Sequence, residues 1–63
     1  MIVLEVSGEQ IRVETVRDAD EIMEAELADA RRRGYETRIH GNTYQIRDGK
    51  HKSWLTIARR WQA

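Results

Sequence analysis

The chain opens on a strict alternation of apolar and polar positions. Ile2, Leu4 and Val6 fall on one face of a strand, and Ile11, Val13 and Thr15 do the same in a second. A two-residue turn at Gly8-Glu9 would oppose Val6 with Ile11, Leu4 with Val13 and Ile2 with Thr15. Glycine at the first central position suits a type II′ turn. The same pattern returns later. A turn at Gly41-Asn42 pairs Ile39 with Tyr44 and Thr37 with Ile46 on one face, leaving Glu36 opposite Arg47 and Arg38 opposite Gln45 on the other.

Between the two hairpins the period changes to that of a helix, over about residues 19–33. Ala19, Ile22, Met23, Glu26, Leu27 and Ala30 recur at three- and four-residue spacing and are predicted to face the sheet, with Glu26 at the margin. Asp18 and Glu21 have the spacing of a capping box. Gly34 suits the left-handed position after the last turn, and Tyr35 would close over Ala30 in a Schellman ending.

The last segment carries two readings. Trp54, Ile57, Ala58 and Trp61 form one helical stripe behind the cap residue Ser53. Trp-Leu-Thr-Ile is also rich in strand formers, and a fifth strand would return from Tyr44–Arg47 through an Asp48-Gly49 turn. Because Ala58-Arg59-Arg60-Trp61-Gln62-Ala63 propagates a helix well, the helix is preferred. The predicted fold is α+β, in the order ββαββ, as a single small domain over residues 1–63. Its sheet is antiparallel or mixed, one helix covers one face, and a C-terminal helix (alternatively a fifth strand) follows. Strand 1, the most apolar, is expected at the centre of the sheet.

Composition narrows the class. Sixty-three residues lie near the lower limit for an unaided core. Without cysteine there is neither a disulfide nor a thiolate metal site. No apolar run approaches the roughly 18 residues of a membrane span, and the N-terminus lacks the basic region of a secretory signal. The expectation is a soluble cytoplasmic protein with no membrane partner.

Catalytic chemistry finds little support. His40 and His51 lie in no metal-ligand spacing and are expected in loops or at the surface, His40 on the face opposite Ile39. A His51–Ser53 dyad lacks a third group to orient the base. The four glycines are dispersed and build no phosphate loop. No enzyme activity, cofactor or metal is expected.

Charge adds the main functional clue. Residues 1–30 hold nine acids against two bases, and residues 31–63 hold nine bases against two acids. Such a division marks a surface for nucleic acid or a charged partner, or two halves that neutralise each other on folding. The candidate contact set is Arg31, Arg32, Arg33, Arg38, Arg47, Lys50, Lys52, Arg59 and Arg60, with Trp54 and Trp61. Each has a plain structural account as well. Arg31–Arg33 oppose the helix dipole, Arg47 pairs with Glu36 across strands, and long arginine stems cover a small core. Tyr35 and Tyr44 share the face of Ile39 and Ile46 and are expected to be buried, which argues against an open aromatic platform. The acids Asp18, Asp20, Glu21, Glu24 and Asp29 are read chiefly as a solvated helix face. The tryptophan stripe is read chiefly as packing, and otherwise as a homodimer or partner interface.

These readings converge on a non-enzymatic binding protein acting stoichiometrically on a protein or nucleoprotein partner. Small inhibitors carried by phages and other mobile elements have this size and lack of chemistry. The alternatives are a nucleic-acid-binding module using the basic half, and a designed or orphan scaffold with no ligand.

Overall fold

A computed structural model describes residues 1–50 and 52–63. His51, read above as a loop or surface histidine, lies outside the described residues. The elements run β1 (Ile2–Val6), β2 (Glu9–Val13), α1 (Val16–Arg32), β3 (Glu36–His40), β4 (Thr43–Arg47) and β5 (Leu55–Gln62). The five strands form one antiparallel sheet in the order β2-β1-β5-β4-β3, with α1 on one face.

The C-terminal segment is therefore a strand, and the expected C-terminal helix is corrected. Ala58–Ala63 has the composition of a helix, but the fold leaves a central slot that only this segment fills. β5 lies between β1 and β4, satisfying the backbone groups of both hairpins along their inner edges. That requirement overrides a propensity difference of about 0.5 kcal/mol per residue. Strand β1 is internal, as expected, but β5 takes the centre.

The second hairpin has the expected register, with Ile39 opposite Tyr44, Thr37 opposite Ile46 and Glu36 opposite Arg47. The first is shifted by two residues: Leu4 pairs with Ile11 and Ile2 with Val13, around a Ser7-Gly8 turn. Both turn residues have positive φ, 50° and 84°, so the turn is of the type I′ kind instead of II′. A shift of two preserves side-chain parity, so the apolar face survives the change.

Helix α1 starts three residues earlier than expected. Thr15, not Asp18, is the cap: its hydroxyl accepts from the Asp18 backbone N–H at 3.1 Å. The end follows the expected Schellman pattern. Gly34 has φ 90°, its N–H donates to Arg31 O at 3.0 Å, and Tyr35 N–H donates to Ala30 O at 3.1 Å. Ala19, Met23, Leu27 and Ala30 are buried. Ala19, Met23 and Leu27 join Ile2, Leu4, Val6, Tyr44 and Ala58 in the core. Leu4, Met23 and Leu27 are fully covered, each contributing about 1.5–3 kcal/mol of burial.

A bulge between β4 and β5 shapes both faces. Tyr44 pairs with Ala58 and Gln45 with Thr56, leaving Ile57 as the additional residue. Ile57 packs against the core beside Ala58, which breaks the helical stripe expected for this segment. Two other expectations fail for a common reason. The helix follows the end of β2 and finishes at the start of β3, so it crosses the sheet diagonally. Ile39, in the opposite corner, is 54% exposed, and Tyr35, just past the helix end, is 39% exposed. Tyr44 alone of the two tyrosines is buried.

Candidate binding face of the sheet

Alternation sends one residue of each neighbouring pair to the helix and the next to solvent, leaving the second face of the sheet without a covering element. Val3 and Glu5 of β1 point there, since Leu4 and its neighbours Ile2 and Val6 point to the core. Their cross-strand partners share that face: Arg12 and Trp61 beside Val3, Gln10 and Arg59 beside Glu5. Thr43, Gln45, Arg47 and Thr56 continue it, and Glu36, Arg38 and His40 complete it on β3.

The middle of this face is a polar ladder. Arg38 Nε donates to Gln45 Oε1 at 2.7 Å, and Gln45 Nε2 donates to Thr56 Oγ1 at 3.2 Å. Aromatic and cationic groups stand at either end of β5. The guanidinium carbons of Arg38 and Arg47 lie 4.3 and 4.5 Å from the Trp54 ring centroid. That of Arg59 lies 5.1 Å from the Trp61 centroid. Two ion pairs cross the face, Arg47–Glu36 at 2.6 Å and Arg59–Glu5 at 3.5 Å. Both are solvent-exposed pairs, worth at most about 1 kcal/mol and readily exchanged for another anion. Beside Trp54 a cleft of about 440 Å³ opens between Tyr35, Ile46 and Leu55, with Arg47 and Lys52 among its lining residues.

The candidate contact residues are thus divided. Arg38, Arg47, Trp54, Arg59 and Trp61 come together on the bare face. Arg31, Arg32 and Arg33 stand at the helix end: Arg32 and Arg33 share Asp29 at 2.9 and 3.2 Å, and Arg31 donates to Thr37 Oγ1 at 2.9 Å. Arg60 points to the other side of the sheet, where its Nε donates to Asp20 Oδ1 of the helix at 3.0 Å. Lys50 and Lys52 lie on the connection between β4 and β5. Of the nine bases in the second half, Arg32, Arg33, Arg47, Arg59 and Arg60 have carboxylate partners among the described residues. Arg32, Arg33, Arg59 and Arg60 thus neutralise acids of the first half, and Arg32, Arg33 and Arg60 lie away from the bare face.

Arg12 was missed because it lies in the acidic half. Its signal was parity alone: it is out of phase with Ile11 and Val13 and so must share a face with Glu5 and Val3. The tryptophans do not form a helical stripe; they lie on the face away from α1, half-buried, with Trp61 beside the buried Val3. Both indoles are half-buried there, each with at least one guanidinium over its ring.

The two faces differ in charge. The bare face carries Arg12, Arg38, Arg47 and Arg59 against Glu5 and Glu36, whereas α1 carries six acids against three bases. On the helix side, burial pushes the Tyr44 phenol above its ordinary value. The carboxylates of Asp20 and Glu24 add to the rise, and Arg60 opposes it. No titratable side chain other than Tyr44 is buried among the described residues. They also hold no group of three or more His, Asp and Glu side chains placed to bind a metal. No helix is long and apolar enough to cross a membrane. No family model matches this chain, and no curated protein or solved structure matches it.

Proposed function

We propose that this is a non-enzymatic binding module that engages a polyanionic partner, on a protein or nucleoprotein complex, through the bare face of its sheet. The observation that carries this reading is the segregation of Arg12, Arg38, Arg47, Arg59 and both tryptophans onto the face opposite the acidic helix. A solvated antiparallel face needs charged side chains, but it has no need of two large indoles. Arginine and tryptophan are also the types enriched where binding energy concentrates. Among the described residues the small core, built on one side only, supplies no desolvated acid–base pair, which favours binding over catalysis. Such a module acts stoichiometrically, as an inhibitor or an adaptor does.

Heparin-agarose, a polyanion with no bases, tests the face assignment. The wild-type protein should be retained at low salt, and the R12E/R38E variant should pass through. R31Q/R32Q/R33Q, altered at the helix end, should be retained nearly as well as wild type. Retention that depends on the helix-end arginines and not on Arg12 and Arg38 would place the contact elsewhere.

A further inference from the structure

We infer that the partner of the bare face is single-stranded nucleic acid, laid across the sheet with its bases against the indole and guanidinium planes and its phosphates on the arginines. This rests on the proposed polyanion-binding face and narrows it.

Three features select a single strand over a duplex or an acidic protein. The first is width. Five strands at about 4.8 Å spacing span roughly 19 Å, too broad to enter a major groove about 12 Å wide. A duplex could meet this face only through its phosphates. The second is the presence of planar groups beside the cations. Trp61 with Arg59, and Trp54 with Arg38 and Arg47, are mixed stacks of the kind that take an unpaired base on either an aromatic ring or a guanidinium plane. An acidic protein surface uses the cations but has no planar bases to stack. The third is the ladder between the stacks. Gln45 and Thr56 offer both donors and acceptors, which suits base edges better than it suits carboxylates alone.

Scale agrees with a short footprint. Trp54, just before β5, and Trp61, near its end, stand seven residues apart with one of them bulged, about 20 Å at ~3.3 Å per residue. That is about six nucleotides at a stacked rise of ~3.4 Å, and fewer if the strand is extended. The electrostatic contribution is bounded as well. Arg12 and Arg38 are free of carboxylates among the described residues, whereas Arg47 and Arg59 must leave Glu36 and Glu5 to meet phosphate. Two to four neutralised phosphates give a slope of log K against log salt between about −1.4 and −2.8 for a single strand. The binding is modest and strongly weakened by salt.

The test uses fluorescence anisotropy with a labelled eight-nucleotide single strand of mixed sequence, as DNA and as RNA, and the matching duplex, from about 50 mM salt upward. At least one single strand should bind ten-fold or more tighter than its duplex, with a slope in the stated range. Replacing Trp61 with Ala should weaken binding about 5- to 100-fold, the range for loss of one stacked base. Trp61→Tyr, which keeps a ring beside Val3, should recover most of it and guards against simple loss of fold. Equal affinity for strand and duplex would overturn the inference, as would a Trp61→Ala variant that stays folded and binds as wild type. Retention on heparin without oligonucleotide binding overturns this inference while leaving the binding face intact, and points to an acidic protein partner. Absence of both overturns the two together.

Discussion

Arg59 and Arg60 are sequence neighbours of identical chemistry, and the structure gives them opposite consequences. On a helix they would lie about 100° apart and share one surface; on β5 they project to opposite sides of the sheet. Charge reversal at each position separates the two cases. Arg60 is mostly covered, its side chain 22% exposed, and it ties β5 to Asp20 of the helix at 3.0 Å. At an effective dielectric near 20 the attraction is about 5 kcal/mol, most of it offset by desolvation and side-chain ordering. A charged hydrogen bond of this kind retains a net ~1.5 kcal/mol. R60E also sets a second carboxylate beside Asp20, adding about 1 kcal/mol of repulsion. The expected loss is about 2–3 kcal/mol, against roughly 3–9 kcal/mol for a domain of this length. With a urea m-value near 1 kcal/mol/M, the midpoint by circular dichroism falls by about 2 M or more. Arg59 is exposed, and its pair with Glu5 and contact with Trp61 together contribute about 1 kcal/mol. R59E should therefore cost less stability while abolishing heparin retention, whereas folded R60E should still be retained. If R60E releases heparin as fully as R59E and both unfold at the same urea concentration, the alternation on which the binding face depends is wrong.

Other expectations follow from the same geometry. Leu4→Ala removes a fully buried side chain at about 3–5 kcal/mol and should leave the domain largely unfolded at 25 °C, whereas Leu55→Ala, at a 64% exposed position, should move the urea midpoint little. Ser7 has φ 50°, where Asn is better tolerated, so Ser7→Asn should raise stability by about 0.5 kcal/mol; a lowered midpoint would contradict the type I′ turn. Thr15→Ala should cost about 1 kcal/mol and Asp18→Asn less, because Thr15 is the residue whose hydroxyl caps the helix. The folded state holds the Tyr44 proton more tightly than the unfolded chain, so stability should be full below about pH 10 and decline as pH rises through the elevated folded value. Tyr44→Phe should flatten that decline in urea titrations between pH 9 and 11, and an unchanged slope would assign it to another group.

How much of this was readable from the sequence differs by element, for physical reasons. The second hairpin was legible down to its register because Gly41-Asn42 fixes the turn and Glu36 and Arg47 confirm the pairing. The first slipped by two because Ser7-Gly8 and Gly8-Glu9 both close a two-residue loop and both keep Leu4 inside. Only the positive φ of Ser7, which a sequence does not advertise, separates them. The helix end was legible through Gly34. Its start was not, because Thr15 and Asp18 are both competent caps. The tail was misread because its local propensity and its tertiary role conflict, and a helical stripe fits its letters. The internal place of β1 favours a strand. An apolar β1 inside the sheet needs a neighbour on each edge, β2 supplies one, and the other must come from elsewhere in the chain.

The misread tail is also what concealed the candidate site. As a helix, the last residues would bury Trp54 and Trp61 and leave the arginines scattered. As the central strand, they carry Arg59 and Trp61 to the middle of the uncovered face and bring Trp54 beside Arg38 and Arg47. The bulge at Ile57 makes this compatible with packing, because it gives the core an additional apolar residue while keeping Thr56 and Arg59 facing out. A domain of 63 residues has enough apolar surface to close one side of a sheet against one helix. The other side is then left to hydrogen bonds, ion pairs and the cover over Val3, and the residues placed there are the ones open to the partner proposed above.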